Sequence, residues 1–379
     1  MIFIDQLTII IGVVLLLFAL VTPLLNPFFR RLKQQPTPTE SNHCGVTVLL
    51  VSNGDATALD EHLPIYLTQD YEGDYQVIVV AEKADLETGN VLKRYANDPR
   101  LYFTFVPESS RYMSKNKLAV TLGVKASRHE WIILSDPRLK PMSNRWLHAM
   151  SQSLHDDVNM VLGYTNYSDD APAFHRFEHL HTALYVLRDA QTGQAFRTNC
   201  QHVTFRKSEF MSKNGYVDYL KYSIGEYEFL VNKYAREEAT VVTTDEATWL
   251  IENPLPKKTW ENRQVYYQEI RRHLDRGIGL RLQFNTDQLF LHLNYLLIVA
   301  SGVFAGLTSR WILLGISVLA LIITVVLRTV IGRRALSEFK VAIPSYKIVP
   351  MEIAIFWKHL KTHLRYEYAD KKDFISHKV

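Results

Sequence analysis

The sequence has 379 residues, of which 47% are hydrophobic, and it carries a formal net charge of +4. This length allows two domains. The basic residues do not follow a basic-aromatic pattern, so we expect no nucleic-acid partner. Two cysteines, Cys44 and Cys200, exclude a disulfide framework and a cysteine-based metal site, and they fit a reducing compartment.

The first predicted element is an apolar run near the N-terminus. Leu7–Leu25 carries no charge and is long enough to cross a hydrocarbon core of about 30 Å. The opening "MIFIDQ" lacks the basic region of a signal peptide, and no small-residue cleavage site follows the run. We therefore predict an uncleaved transmembrane anchor over residues 1–30 and a polar, proline-containing linker over residues 31–44.

Short apolar strands then alternate with helical segments. Val46–Ser52 and Tyr75–Glu82 are nearly continuously apolar and rich in β-branched residues, which is typical of strands buried on both faces of a parallel sheet. Leu101–Pro107 and Glu130–Asp136 are further strand candidates. This rhythm predicts an open α/β domain over residues 45–285, with ligands bound beyond the C-terminal ends of its strands.

Two further apolar runs follow the α/β segment. Leu289–Leu307 and Trp311–Leu327 predict two transmembrane helices within residues 286–335. The tail, residues 336–379, contains apolar side chains that can share one helix face, with lysine and arginine flanking it. This pattern predicts a cytosolic amphipathic helix lying on the leaflet; packing against the soluble domain is the alternative.

Basic residues indicate the orientation of these spans. Arg30 and Arg31 follow the first run, Arg333 and Arg334 follow the third, and the short connection between the second and third holds only Arg310. The positive-inside rule places the α/β domain and the C-terminus in the cytoplasm. We attribute the net positive charge to attraction toward membrane lipids.

Several motifs occur in a fixed order along the chain: "VTVLLVSNGDATAL", "YQVIVVAE", "EWIILSDPRLKPMSNRWL", "GEYEFLVNKYA" and "YYQEIRRHL". As a set, and with the flanking membrane helices, residues 46–274 resemble the membrane-anchored family-2 glycosyltransferases of the GT-A type, especially those that build bacterial cell-envelope glycans. The resemblance implies a GT-A domain with a mainly parallel sheet plus three transmembrane helices. It also implies a multi-pass protein of the bacterial inner membrane.

The resemblance further implies which residues form the site. Those expected to contact the donor nucleotide or its phosphates are Ser52, Gly54, Asp55, Glu82, Lys117, Arg138, Gln268 and Arg271. Asp136 is expected to take part in catalysis and to bind Mg²⁺ or Mn²⁺, which would neutralise the leaving diphosphate. Glu226 and Glu228 are the candidates for the base that takes the acceptor proton, and Glu226 is the positional match.

Several motif positions differ from the family pattern. Arg138 stands at the position where the pattern has the second acid of the metal-binding pair. Tyr227 stands at the position of the central acid in the cluster after Gly225. Asp136 is therefore either a metal or ribose ligand, or a cap for the turn at Pro137. Arg138 either meets the diphosphate directly, as a planar cation, or is a surface arginine of a decayed site.

Two functions follow from these observations. The first is transfer of a sugar, with inversion, from a nucleotide-diphosphate donor to a lipid-linked or cell-envelope glycan acceptor. The second is a catalytically degenerate homologue that binds a nucleotide or a partner as a scaffold in glycan assembly. Three spans are few for a translocation channel of its own, so a homo- or hetero-oligomer is a further expectation.

Overall fold

A computed structural model describes residues 5–33, 43–107, 114–193 and 195–375. Most of the expected linker, residues 34–42, lies outside the described residues. The chain divides into two compact units. Unit 1 comprises Met1–Arg31, Ala173–Tyr185 and Arg276–Lys361, and unit 2 comprises Leu32–Pro172, Val186–Asp275 and Thr362–Val379.

The described residues form ten β-strands, which belong to unit 2. In chain order they are β1 (Val46–Ser52), β2 (Tyr75–Glu82), β3 (Leu101–Val106), β4 (Trp131–Ser135), β5 (Leu139–Pro141), β6 (Met160–Leu162), β7 (Thr165–Tyr167), β8 (His202–Arg206), β9 (Thr240–Val242) and β10 (Leu250–Glu252).

Twelve α-helices occur in the same described part of the chain. They are α1 (Gln6–Val21), α2 (Ala56–Leu67), α3 (Leu86–Arg94), α4 (Lys115–Ala126), α5 (Trp146–Ser151), α6 (Ala173–Thr192), α7 (Lys207–Ser212), α8 (Glu226–Tyr234), α9 (Lys257–Ile270), α10 (Ile278–Leu307), α11 (Trp311–Glu338) and α12 (Ile348–Glu367).

The main sheet of unit 2 has seven strands in the order β3-β2-β1-β4-β8-β6-β9. Strands β1 to β4 run parallel to one another, and β8 pairs antiparallel with β4 and β6. Every residue of β1 is buried, as a strand covered on both faces requires. A second sheet of three strands, in the order β5-β10-β7, follows directly from β4 through a tight turn. The predicted mainly parallel α/β sheet is confirmed.

Helices α2 and α4 pack against this sheet. Leu59 and Leu63 of α2 share a buried cluster with Val77 and Val79 of β2. On α4, Gly123 lies so close to Leu49 of β1 that a Cβ would be 2.2 Å from that side chain. The glycine therefore permits close packing of α4 on the sheet.

Within the described part of unit 1, three helices are long and apolar enough to cross a membrane. They are Gln6–Leu25, Asn285–Leu307 and Trp311–Glu338. Leu15, Ile298 and Leu313 belong to one buried cluster that these helices share. The prediction of three membrane-spanning helices is confirmed at the level of length and composition.

Candidate functional site

The turn after β4 joins Asp136 and Arg138 in a two-point ion pair. Arg138 donates from Nε to Asp136 Oδ1 (2.8 Å) and from Nη2 to Asp136 Oδ2 (2.6 Å). Its backbone N–H also donates to Asp136 Oδ1 across 2.9 Å. Burial opposes ionisation of Asp136, but the Arg138 guanidinium outweighs it and holds the pKa of Asp136 below its usual range. Asp136 thus caps the turn through the backbone N–H of Arg138 and also binds the guanidinium group of Arg138.

A second ion pair extends this charged cluster. Arg263 of α9 donates to both carboxylate oxygens of Glu252 in β10, at 2.8 and 3.1 Å. Asp55, at the start of α2, lies 3.7 Å from Arg138 Nε. We call these five residues, Asp55, Asp136, Arg138, Glu252 and Arg263, the charged cluster. Their charges influence one another, since Arg263 helps to lower the pKa of Asp136 and Glu252 helps to raise that of Arg138.

The first turn of α8 carries the two candidate bases. Gly225 precedes the helix with φ of +97°, and a Cβ there would also meet Phe229, so the sharp entry into α8 favours glycine. Glu226 accepts from Asn116 across 3.2 Å, while its buried Oε2 has no hydrogen-bond partner among the residues that the structure describes. Burial raises the pKa of Glu228 to about 7, and the Glu226 carboxylate adds to the rise. A base that operates near neutral pH needs a pKa in this range.

Tyr227 is the residue whose pKa is influenced both by the charged cluster and by Glu226. Its side chain is buried, and in sequence it lies between Glu226 and Glu228. Burial raises the pKa of the Tyr227 phenol far above its usual value, and the charges of Asp136 and Glu226 raise it further, whereas Arg138 lowers it. The phenol is thus close enough to the charged cluster and to Glu226 to be influenced by both.

Lys117 does not have the role expected from the sequence. Its side chain is fully buried, and Nζ donates to the carbonyl oxygens of Tyr222 (2.8 Å) and Ile224 (2.7 Å). Burial lowers its pKa to about 8, against the charges of Glu226 and Glu228. The expected approach of Lys117 to the donor phosphates is therefore corrected: its ammonium group holds the segment that leads into α8.

The residues that are expected to contact the nucleotide at the ends of β1 and β2 differ in burial and in hydrogen-bond partners. Ser52 is buried, and its Oγ lies 3.4 Å from Thr88 Oγ1, so its hydroxyl faces α3 rather than an open edge. Gly54 has φ of +80°, a conformation that favours glycine. Glu82 accepts a hydrogen bond from Lys115 and helps to line a pocket together with Lys83 and Pro107.

Gln268 and Arg271 lie at the C-terminal end of α9. Gln268 is buried, and Arg271 is the exposed C-cap residue.

Sequence reasoning missed Arg263 and Glu252, and it also missed Arg197, whose guanidinium stacks on Tyr267 at 4.3 Å from the ring centroid. Arg197 contributes to the electrostatics of Glu228 by lowering its pKa. No motif marked these residues, because they meet the site only through the fold.

The expected divalent cation does not fit the residues as they are arranged. Both oxygens of Asp136 accept hydrogen bonds from Arg138, and both oxygens of Glu252 accept from Arg263. Among the described residues, no group of three His, Cys, Asp or Glu side chains is placed to hold a metal ion. A metal at Asp136 would have to displace a guanidinium from a buried carboxylate.

Comparison with solved structures identifies the class of fold. The mannosyltransferase PcManGT from Pyrobaculum calidifontis, solved in complex with GDP-Man and Mn²⁺, matches with a TM-score of 0.53 and 16% identity, covering 95% of this chain and 98% of that one. TarS 1-349 from S. aureus, in complex with UDP-GlcNAc, gives a TM-score of 0.41 and 11% identity over 85% of this chain and 90% of that one. Comparison with curated proteins gives no match.

The unit-2 sheet with its strand-end site is thus a GT-A-type fold. The family model described as glycosyl transferase family 21 matches residues 7–359, and the chain belongs to that family. The predictions of a GT-A-like fold and of a glycosyltransferase are confirmed, while the matching family is 21 where the motifs resembled family 2.

Proposed function

We propose that this glycosyltransferase moves a sugar from a nucleoside diphosphate donor to a membrane-associated or cell-envelope glycan acceptor, with inversion at the anomeric carbon. The observation that carries the proposal is that unit 2 holds both two carboxylates on the first turn of α8 and the charged cluster, which includes residues at the ends of β1 and β4. Tyr227 is influenced by both parts, which supports one site rather than two.

The chemistry assigns each part a task. The acceptor hydroxyl attacks the anomeric carbon of the donor sugar, forming the glycosidic bond as the bond from that carbon to the diphosphate oxygen breaks. The hydroxyl proton passes to a carboxylate of the Glu226–Glu228 pair, and the diphosphate leaves with the electron pair of the broken bond. Glu228 has the proton affinity that this step needs, and Glu226 supplies the neighbouring negative charge that helps to raise it.

The donor nucleotide binds along the strand-end edge of the sheet. Asp55 and Glu82 follow β1 and β2, the positions where ligands of open α/β sheets are bound. Asp136 and Arg138 then face the diphosphate, and Gln268 and Arg271 contribute from the end of α9.

Unit 1 supports the proposed acceptor and location. Three apolar helices support a multi-pass protein of the bacterial inner membrane, with the catalytic domain and C-terminus in the cytoplasm. In α12, Phe356, Trp357 and Leu360 are exposed beside the buried Ile355, which supports contact of this helix with membrane lipids. A lipid-linked acceptor would reach the enzyme from the same leaflet.

The test is transfer of radiolabelled sugar by the full chain in nanodiscs that contain a lipid extract of the source cells. UDP- and GDP-linked sugars serve as donors, and label in the lipid or glycan fraction is the product. We expect Glu228→Gln to lower turnover by about 10²- to 10⁴-fold, the usual contribution of a general base. Glu237→Gln, at an exposed glutamate outside the site, is the matched control and should keep full turnover.

Equal turnover in the wild type, Glu228→Gln and Glu226→Gln would overturn the proposed base. Absence of transfer from every donor, together with retained nucleotide binding, would support the degenerate scaffold instead.

A further inference from the structure

We propose that the guanidinium groups of Arg138 and Arg263 replace a divalent cation in neutralising the donor diphosphate. This inference rests on the proposed function, because it assumes that a nucleoside diphosphate binds at the charged cluster. It goes further because it assigns the positive charge that neutralises the diphosphate to two named side chains. It also predicts that the nucleotide binds without a metal ion.

The first argument is the way in which Arg138 is held. Its Nε and Nη2 are bound to Asp136, whereas Nη1 makes no hydrogen bond to the described residues. A guanidinium has five N–H donors, so the edge formed by Nη1 and the second N–H of Nη2 remains for two parallel hydrogen bonds to phosphate oxygens. The Arg138 side chain as a whole is 26% exposed, so the guanidinium is not sealed in the interior.

The second argument is that both arginines are fixed in position. Asp136 and Glu252 each hold a guanidinium by two points, and their own side chains are 9% and 4% exposed. A cation held in this way needs little reordering when an anion binds, which favours binding. A bound metal ion offers the same advantage.

The third argument is the charge of the cluster. Asp55, Asp136 and Glu252 supply three negative charges, and Arg138 and Arg263 supply two positive charges. The resulting net charge of −1 is the same as that of three carboxylates that hold one divalent cation. The two guanidiniums therefore provide the electrostatic compensation that a metal would otherwise provide.

Calorimetric titration of the full chain with UDP and with GDP tests the inference directly. Each titration is performed in excess EDTA and again with Mn²⁺. We expect one of the nucleotides to bind with the same dissociation constant in both conditions. Binding that requires Mn²⁺ would overturn the inference and leave the proposed function intact, whereas no binding in either condition would overturn both.

A charge-reversing variant sharpens the test. Arg138→Asp creates a second carboxylate two residues after Asp136, a pair suited to a hard divalent cation. In EDTA we expect nucleotide binding to weaken by about 10- to 100-fold, the loss that corresponds to a charge-assisted hydrogen bond. Added Mn²⁺ should restore much of the affinity, and electron paramagnetic resonance should detect Mn²⁺ bound to this variant but not to the wild type.

Arg145→Asp is the matched control, because it reverses the charge of a half-exposed arginine 3.7 Å from a single carboxylate, that of Asp70. It should leave nucleotide binding unchanged in both conditions. Arg138→Lys keeps the charge but loses the planar donor edge, so it should bind more weakly than the wild type and remain insensitive to Mn²⁺. Wild-type affinity in Arg138→Asp without metal would contradict the assignment.

Discussion

Arg328 of α11 and Glu352 of α12 form an ion pair whose side chains are 0% and 1% exposed, with Nη1 and Oε2 separated by 3.0 Å. Asp287 of α10 lies 3.4 Å from the same guanidinium, and Asn26 donates to Glu352. One buried arginine thus connects three helices and the segment after α1 within unit 1. Removing one partner of such a group leaves an uncompensated buried charge, which is far more costly than losing an exposed pair.

The substitution Arg328→Met should therefore destabilise unit 1 by about 3–5 kcal/mol. Thermal unfolding of the detergent-solubilised protein measures the change. Arg333→Gln, at an exposed arginine of the same helix, is the control and should melt close to the wild type. Equal melting temperatures for the two variants would show that the buried arginine is not needed for stability.

The Glu226–Glu228 pair predicts a pH dependence of kcat/KM. A carboxylate base works when ionised, so activity should be present above the pKa of Glu228, about 7, and should be lost as the pH falls through it. Glu226→Gln removes the nearby like charge and should move this loss to lower pH in the residual activity. The rate is measured between pH 5 and pH 9 with saturating and limiting donor, with Glu237→Gln as control. A profile that does not move in Glu226→Gln would contradict coupling of the two carboxylates.

Lys117 is predicted to position the start of α8 rather than to bind substrate. Lys117→Met retains most of the side-chain volume but leaves the Tyr222 and Ile224 carbonyl oxygens without their donor. We expect a loss of about 1–3 kcal/mol of stability, the cost of an unsatisfied buried polar group. We also expect kcat to fall while the nucleotide dissociation constant remains unchanged.

Lys125→Met, at an exposed lysine of the same helix, should show neither effect. A large loss of nucleotide affinity in Lys117→Met, without a change in kcat, would instead favour the phosphate contact first expected from the sequence.

The proposed topology predicts which side of the membrane each loop reaches. In a Cys44→Ser, Cys200→Ser background, cysteines replace Thr308, in the exposed connection between α10 and α11, and Tyr368, which is 89% exposed after α12. An impermeant maleimide applied to intact spheroplasts should label Thr308→Cys but label Tyr368→Cys only after lysis. Labelling in the opposite order would reverse the orientation.

Much of the local structure follows from the sequence. The predicted strands Val46–Ser52 and Tyr75–Glu82 have the same bounds as β1 and β2, and the third span begins at Trp311 as predicted. Hydrophobic periodicity and length report burial along each segment, so they identify strands and spans without reference to the rest of the chain. The predicted second span is shorter than α10, which begins at Ile278, because its polar first turns do not match an apolar pattern.

The site was predictable only in part. Asp136 and Arg138 are two residues apart, so their position after β4 follows from the local sequence. The sequence did not distinguish a free aspartate from one bound at two points by arginine, because side-chain direction depends on packing. The sequence predicts Glu226 and Glu228 as candidate bases, but the raised pKa of Glu228 arises from burial, which a single helical turn does not reveal.

The class of fold and the three apolar spans follow from the sequence, because each depends on short-range patterns of hydrophobic and turn residues. The location of the site at the strand ends stays a prediction. The tertiary structure alone decided which charges meet. Arg263 joins Glu252 beside the Asp136 turn, Lys117 reaches carbonyl oxygens more than a hundred residues away, and Arg328 is enclosed by two acids from other helices. Such contacts are set by the packing of distant elements, and buried charges persist only where that packing provides a partner.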